Sequence, residues 1–110
     1  MMTNDPRFAD YPPQPGTAQL CWLIERLADG VLAVEEFVPL FRQTHEALER
    51  LGRPRYRSKK EARLLWDMLW VLEFYSPDPS QEDNPADWND AAAVVAEARR
   101  IAPAVRGHAG

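Results

Sequence analysis

The chain has 110 residues, 45% of them apolar, a single cysteine, and a net charge of -4 from 17 acidic and 13 basic side chains. This length and apolar content suit one domain that buries a core unaided, and they exclude a disordered chain. One cysteine excludes an internal disulfide and points to a reducing compartment, while the acidic balance argues against a general nucleic-acid binder and for a basic partner.

Residues 1–16 hold four prolines and end in Gly16, so a Pro-rich N-terminal arm is expected, more a loose tail than a docked one, although Phe8 and Tyr11 could rest on the domain. No apolar run there has the form of a signal peptide and none elsewhere reaches membrane-spanning length, so the expectation is a cytoplasmic protein with no membrane partner. Thr17 is placed to cap a first helix over 18–29, with Leu20, Leu23, Ile24 and Leu27 as its stripe and Gly30 as its stop. Trp22 lies partly off that stripe, and Cys21 reads as a small buried hydrophobe.

A second helix follows, with Val34, Phe37, Val38, Phe41, His45, Leu48 and Leu51 on one face and Gly52 closing it. Pro39 inside it predicts a kink or a later start. His45, lacking a second ligand at useful spacing, reads as a core-edge histidine. Residues 53–63 form a basic cluster with Arg53, Arg55, Arg57, Lys59, Lys60 and Arg63.

Ser58-Lys59-Lys60-Glu61 has the form of a capping box that starts a third helix. Its residues from Leu64 to Tyr75 are apolar on nearly every side, which predicts the central helix of the bundle, with all four tryptophans of the chain available for burial. Ser76-Pro77-Asp78-Pro79 ends it. Asn84 and Pro85 are expected to start a fourth helix that turns Trp88, Ala91, Ala92, Val95, Ala98 and Ala102 inward and stops before Pro103, leaving the last residues loose. No period-two alternation or internal repeat is visible. The expected architecture is all-α: a four-helix antiparallel bundle over residues 17–103, an arm over 1–16 and a flexible tail over 104–110.

The stretch from Leu64 to Ala98 carries eight acids (Asp67, Glu73, Asp78, Glu82, Asp83, Asp87, Asp90, Glu97) and no Lys or Arg. No GxSxG, Walker-type, HExxH or GxGxxG motif is present, and the acids match neither a calcium loop nor a buried catalytic pair, so no enzyme, no metal site and no cofactor is expected. The candidate partner-binding residues are Trp70, Glu73, Tyr75, Asp78, Glu82 and Asp83, an acidic and aromatic face that can imitate phosphate charge in the basic cleft of a nuclease.

Two stretches resemble the colicin D immunity-type family of small helical immunity proteins. Leu23–Phe41 resembles that family's helix, short turn and small-x-acid-Phe sequence with a following aromatic. Leu69–Pro79 resembles its apolar helix running into an acidic, aromatic, Pro-Asp segment. The resemblance covers about three quarters of the chain and implies an antitoxin that blocks a basic, RNA-cleaving nuclease toxin domain, with Glu73 and Asp78 on acidic positions of the inhibitory face and Tyr75 on its aromatic. Ser76 stands where the family has an acid, and Ala33 where it has a Ser or Thr cap. The alternative reading is a helical adaptor that binds nucleic acid or an acidic protein through Arg53–Arg63.

Overall fold

The computed structural model describes residues 5–52 and 54–109, with the side chains of 107–109 left out. The fold is all-helical: α1 spans Thr17–Ala28, α2 Val34–Arg50, α3 Lys59–Glu73 and α4 Ala91–Ala109, with short 3-10 turns at Pro6–Phe8, Pro79–Gln81 and Pro85–Asp87. Among the described residues the one β-type pairing is an isolated bridge between Tyr75 and Asn89.

Helix α1, and not α3, is the centre of the molecule. It packs on both α2 and α4, while α3 packs chiefly on α4. The α1 stripe is as expected, with Leu20, Leu23, Ile24 and Leu27 buried and Gly30 at φ 79°, a left-handed conformation that a Cβ would strain. The cap differs. Gly16 occupies the N-cap position, and Thr17, now the first helical residue, turns its hydroxyl to donate to Glu61 Oε1 at 2.8 Å.

Trp22 is buried as well, because residues 5–16 fold over it instead of trailing away. Phe8 and Tyr11 each bring a ring centroid to 5.2 Å from Trp22, Tyr11 edge-on at 87°, and the Arg26 guanidinium lies 5.4 Å over the indole. Arg7 fixes the segment to α2 by a 2.7 Å pair with Glu36, and donates to the Val31 carbonyl at 3.1 Å. The tail composition favours looseness only while nothing apolar is available to cover, and the off-stripe Trp22 supplies that surface.

Helix α2 runs unbroken through Pro39, which faces solvent, so the bond that proline forfeits falls on the wetted side. With no hydroxyl on Ala33, its cap is half a capping box: the Ala33 backbone N–H donates to Glu36 Oε1 at 3.0 Å. His45 is buried at the core edge, its Nδ1 3.6 Å from Glu49, and its ring edge-on to Trp66. Leu51, placed on the apolar face by its spacing, is exposed beyond the helix end.

Helix α3 starts at Lys59 with Ser58 Oγ accepting from the Glu61 N–H at 3.0 Å, as the capping box predicts. The other half of the box is replaced. Glu61 does not reach back to its cap residue; its carboxylate is 0% exposed and accepts from Thr17, from the Arg57 backbone N–H at 2.8 Å and from the Arg57 guanidinium. Cys21 Sγ lies 3.8 Å from the same carboxylate, and burial, then the Glu61 charge, push its thiol up to about 12, so it is an inert core group. Beyond Glu61, α3 buries only Leu64, Leu65, Met68 and Leu72, and exposes Trp66 and Trp70.

Helix α4 begins six residues later than expected. Asn84 and Pro85 open a 3-10 turn, and Asp90 caps the helix, its Oδ1 accepting from the Ala93 N–H at 2.9 Å. Consequently Trp88 lies on the preceding loop, Ala91 and Ala92 are exposed, and Val94, Ala98, Ile101, Ala102 and Val105 face the core. The helix also passes Pro103, which is exposed, and ends at Ala109. Residues 104–106 are therefore no loose tail: Val105 is fully buried, and Arg106 pairs with Glu25 at 3.1 Å and Asp29 at 2.7 Å. The expectation that His108 is inert concerns a side chain outside the described ones.

Candidate interaction surface

The segment after α3 is folded back on itself. Ser76 N–H donates to the Asn89 carbonyl at 2.9 Å, Asn89 N–H to the Phe74 carbonyl at 2.7 Å, and Asn89 Nδ2 to the Val71 carbonyl at 3.0 Å. These bonds satisfy carbonyls that the end of α3 would leave open, and they close residues 74–90 into one compact loop. Prolines 77, 79 and 85 set its course by starting the two 3-10 turns and removing N–H groups that a regular element would need.

The six residues picked from the sequence land at this end of α3, in unequal roles. Trp70 is 68% exposed, and Glu73 is exposed on the last turn. Asp78 and Glu82 converge on the buried Ser76: Ser76 Oγ donates to Glu82 Oε2 at 3.0 Å and accepts from the Asp78 N–H at 3.3 Å. The Asp78 carboxylate also caps its own turn, accepting from the Ser80 N–H at 3.2 Å. Asp83 is exposed on the loop. Tyr75 is half-buried and rests against the core, so its ring is more a part of the loop's base than a projecting anchor.

Sequence reasoning missed two members of the surface. Phe74 stands 5.2 Å from Trp70 and 6.4 Å from Trp88, which extends the exposed aromatic of α3 into a row that crosses to the loop. The signal was the four-residue spacing of Trp66, Trp70 and Phe74, which puts them along one side of a helix.

Charge is the second property of this end. Among the described residues the ion pairs involve other acids: Arg7 with Asp5 and Glu36, Arg26 with Asp10 and Asp29, His45 with Glu49, Arg57 with Glu61, Arg100 with Asp67 and Glu97, and Arg106 with Glu25 and Asp29. None reaches Glu73, Asp78, Glu82, Asp83 or Asp87. Arg42 donates to the Leu72 carbonyl and lines, with His45, Glu46, Glu49 and Glu73, a shallow hollow of about 300 Å³. Such a surface can attract and orient a basic partner. No group of three His, Cys, Asp or Glu among the described residues is placed to hold a metal ion, and no helix among them is long and apolar enough to cross a membrane.

The basic segment is divided. Arg57 is partly exposed but paired with the buried Glu61, Arg53 lies outside the described residues, and Arg55, Lys59, Lys60 and Arg63 are exposed. No family model, curated protein or solved structure matches the chain.

Proposed function

We propose that this protein is an immunity protein, a stoichiometric inhibitor and not a catalyst, that occupies the basic cleft of a cognate bacterial RNase toxin domain. The observation that carries the reading is that Glu73, on the last turn of α3 below the exposed Trp70, and Asp78, Glu82 and Asp83, on the loop closed by its own backbone bonds, join no ion pair among the described residues. A preformed acidic surface costs little ordering when it docks, and an exposed aromatic supplies the apolar anchor that tight complexes require. The helices are read here as an antiparallel bundle, and the protein as cytoplasmic, where a nuclease would otherwise reach RNA.

The test is the neighbouring reading frame. A secreted protein with a C-terminal nuclease-like domain encoded beside this chain should form a one-to-one complex with it and lose RNA cleavage in that complex. Asp78→Lys with Asp83→Lys should weaken the complex by about 3 kcal/mol or more, each reversal turning an attraction into a repulsion. Unchanged affinity of the double reversal, or uninhibited cleavage by the neighbour, overturns the reading. The adaptor alternative would instead show salt-dependent RNA or DNA binding, lost on Arg55→Ala.

A further inference from the structure

The outer face of α3 carries Lys59, Arg63, Trp66, Trp70 and Glu73, all exposed. Their spacing of four, three, four and three residues is the seam of a coiled-coil helix, and at about 100° per residue they fall within about 80° of arc. Among the described residues only the His45 and Phe74 rings touch its indoles from the side, and Trp66 stays 56% exposed and Trp70 68%. Among the described residues neither Arg63 nor Glu73 joins an ion pair, although each is a charged side chain on an exposed helix face.

The charges on the seam also oppose their own helix. Lys59, Lys60 and Arg63 stand at the N-terminal end of α3, and Glu73 is its last residue, with no basic residue in the last turn. Each sits at the end whose partial charge matches its own sign, and Glu61, the acid of the first turn, is taken up by Arg57. A single helix gains nothing from that order. Two such helices side by side in opposite directions gain from it everywhere.

We propose that a second copy of this chain covers the seam, with the two α3 helices antiparallel about a two-fold axis that passes at Met68. That axis sets Trp66 against Trp70 of the other copy and Arg63 against Glu73 of the other copy, because both pairs are centred on residue 68. Every layer then matches in kind, aromatic on aromatic and cation on carboxylate, each contact occurring twice as an isologous interface demands. The N-terminal lysines of one helix lie along the C-terminal end of the other, which relieves the opposition to the dipole. Burial of the indoles supplies the affinity, and the crossed charges fix direction and register. The dimer stands independently of the inhibitor reading, although both use Trp70 and Glu73, so a toxin domain and a second copy would compete for them.

Sedimentation velocity on the protein alone, over a range of concentrations, tests the pairing without any toxin. The expected species has twice the 12.6 kDa chain mass and dissociates on dilution and at high salt. Arg63→Glu and Glu73→Arg should each raise the dissociation constant by about tenfold or more, as should Trp70→Ala, and Arg63→Glu with Glu73→Arg together should restore association. Both charge variants improve the match to the helix dipole, so at dilutions where the parent is also a monomer they should melt no lower than it, which separates lost pairing from lost folding. A monomer at every concentration, leaving the face to a foreign partner alone, overturns the proposal. So does a dimer indifferent to these substitutions, or a double swap that fails to restore it.

Discussion

Arg57, just ahead of α3, and Glu61, in its first turn, form an ion pair in which only the arginine touches solvent: the Glu61 carboxylate has no exposed surface, and it also holds the Thr17 hydroxyl at 2.8 Å. The pair thereby ties the start of α3 to the start of α1, two elements that otherwise share little contact. Removing the cation strands a buried charge. Arg57→Ala should cost about 3 kcal/mol in urea unfolding, the low end for such a loss because Arg57 is itself partly wet. Arg57→Met with Glu61→Leu, which removes both charges, should recover most of that cost. A single substitution without effect would mean that Glu61 is solvated in solution.

Acid should loosen two attachments. Burial pushes the Glu61 carboxyl up, but the Arg57 guanidinium, the Arg57 backbone N–H and the Thr17 hydroxyl together outweigh it and hold the group below its ordinary 4.5. The Arg7 guanidinium and the Ala33 N–H hold Glu36 at about 2. A carboxyl depressed in the folded state contributes stability that is complete above its unfolded pKa and is lost as pH falls through the folded one. The stability curve should therefore be flat in these two groups above about pH 5 and decline from about 4.5 downward. Arg7→Gln should remove the Glu36 share of that decline, as followed by thermal melts between pH 2 and 7, and an unaltered acid limb would show that the Arg7 contact is not populated.

Ser76 sits buried at the base of the loop after α3, and the fold makes an acid costly there. The side chain is buried and donates to Glu82 while accepting from the Asp78 N–H. Ser76→Asp would set a second carboxylate against Glu82 without a cation, so a loss of about 2 kcal/mol is expected, together with faster amide exchange at Asn89 as the loop opens. Glu82→Lys in the same chain should rescue it. A neutral Ser76→Asp would indicate that the loop tolerates an acid by turning it outward.

Much of this molecule was legible in its sequence. The apolar spacing of α1 and α2, the glycines at 30 and 52 and the Ser58 cap each follow from interactions within a few residues, where helix geometry leaves one solution. The acidic run between Leu64 and Ala98 was also visible, since composition survives folding. Boundaries set by proline were read too strictly. Asn84-Pro85 opens a 3-10 turn and Pro103 sits within α4, because a proline on the solvent side forfeits a bond that water replaces.

Tertiary structure alone decided which side of α3 faces out. A helix apolar around its whole circumference has no preferred inner face until neighbours are placed, and here, with α4 as the chief neighbour, Leu64, Leu65, Met68 and Leu72 are buried while Trp66 and Trp70 stay exposed. The same holds for Glu61, whose local pattern fits a capping box but whose carboxylate is claimed by Thr17, 44 residues away, and for Trp22, covered by Phe8 and Tyr11. Local spacing fixes the helices because their hydrogen bonds are local; what each helix hides depends on contacts between distant residues, and those exist only once the chain has closed on itself.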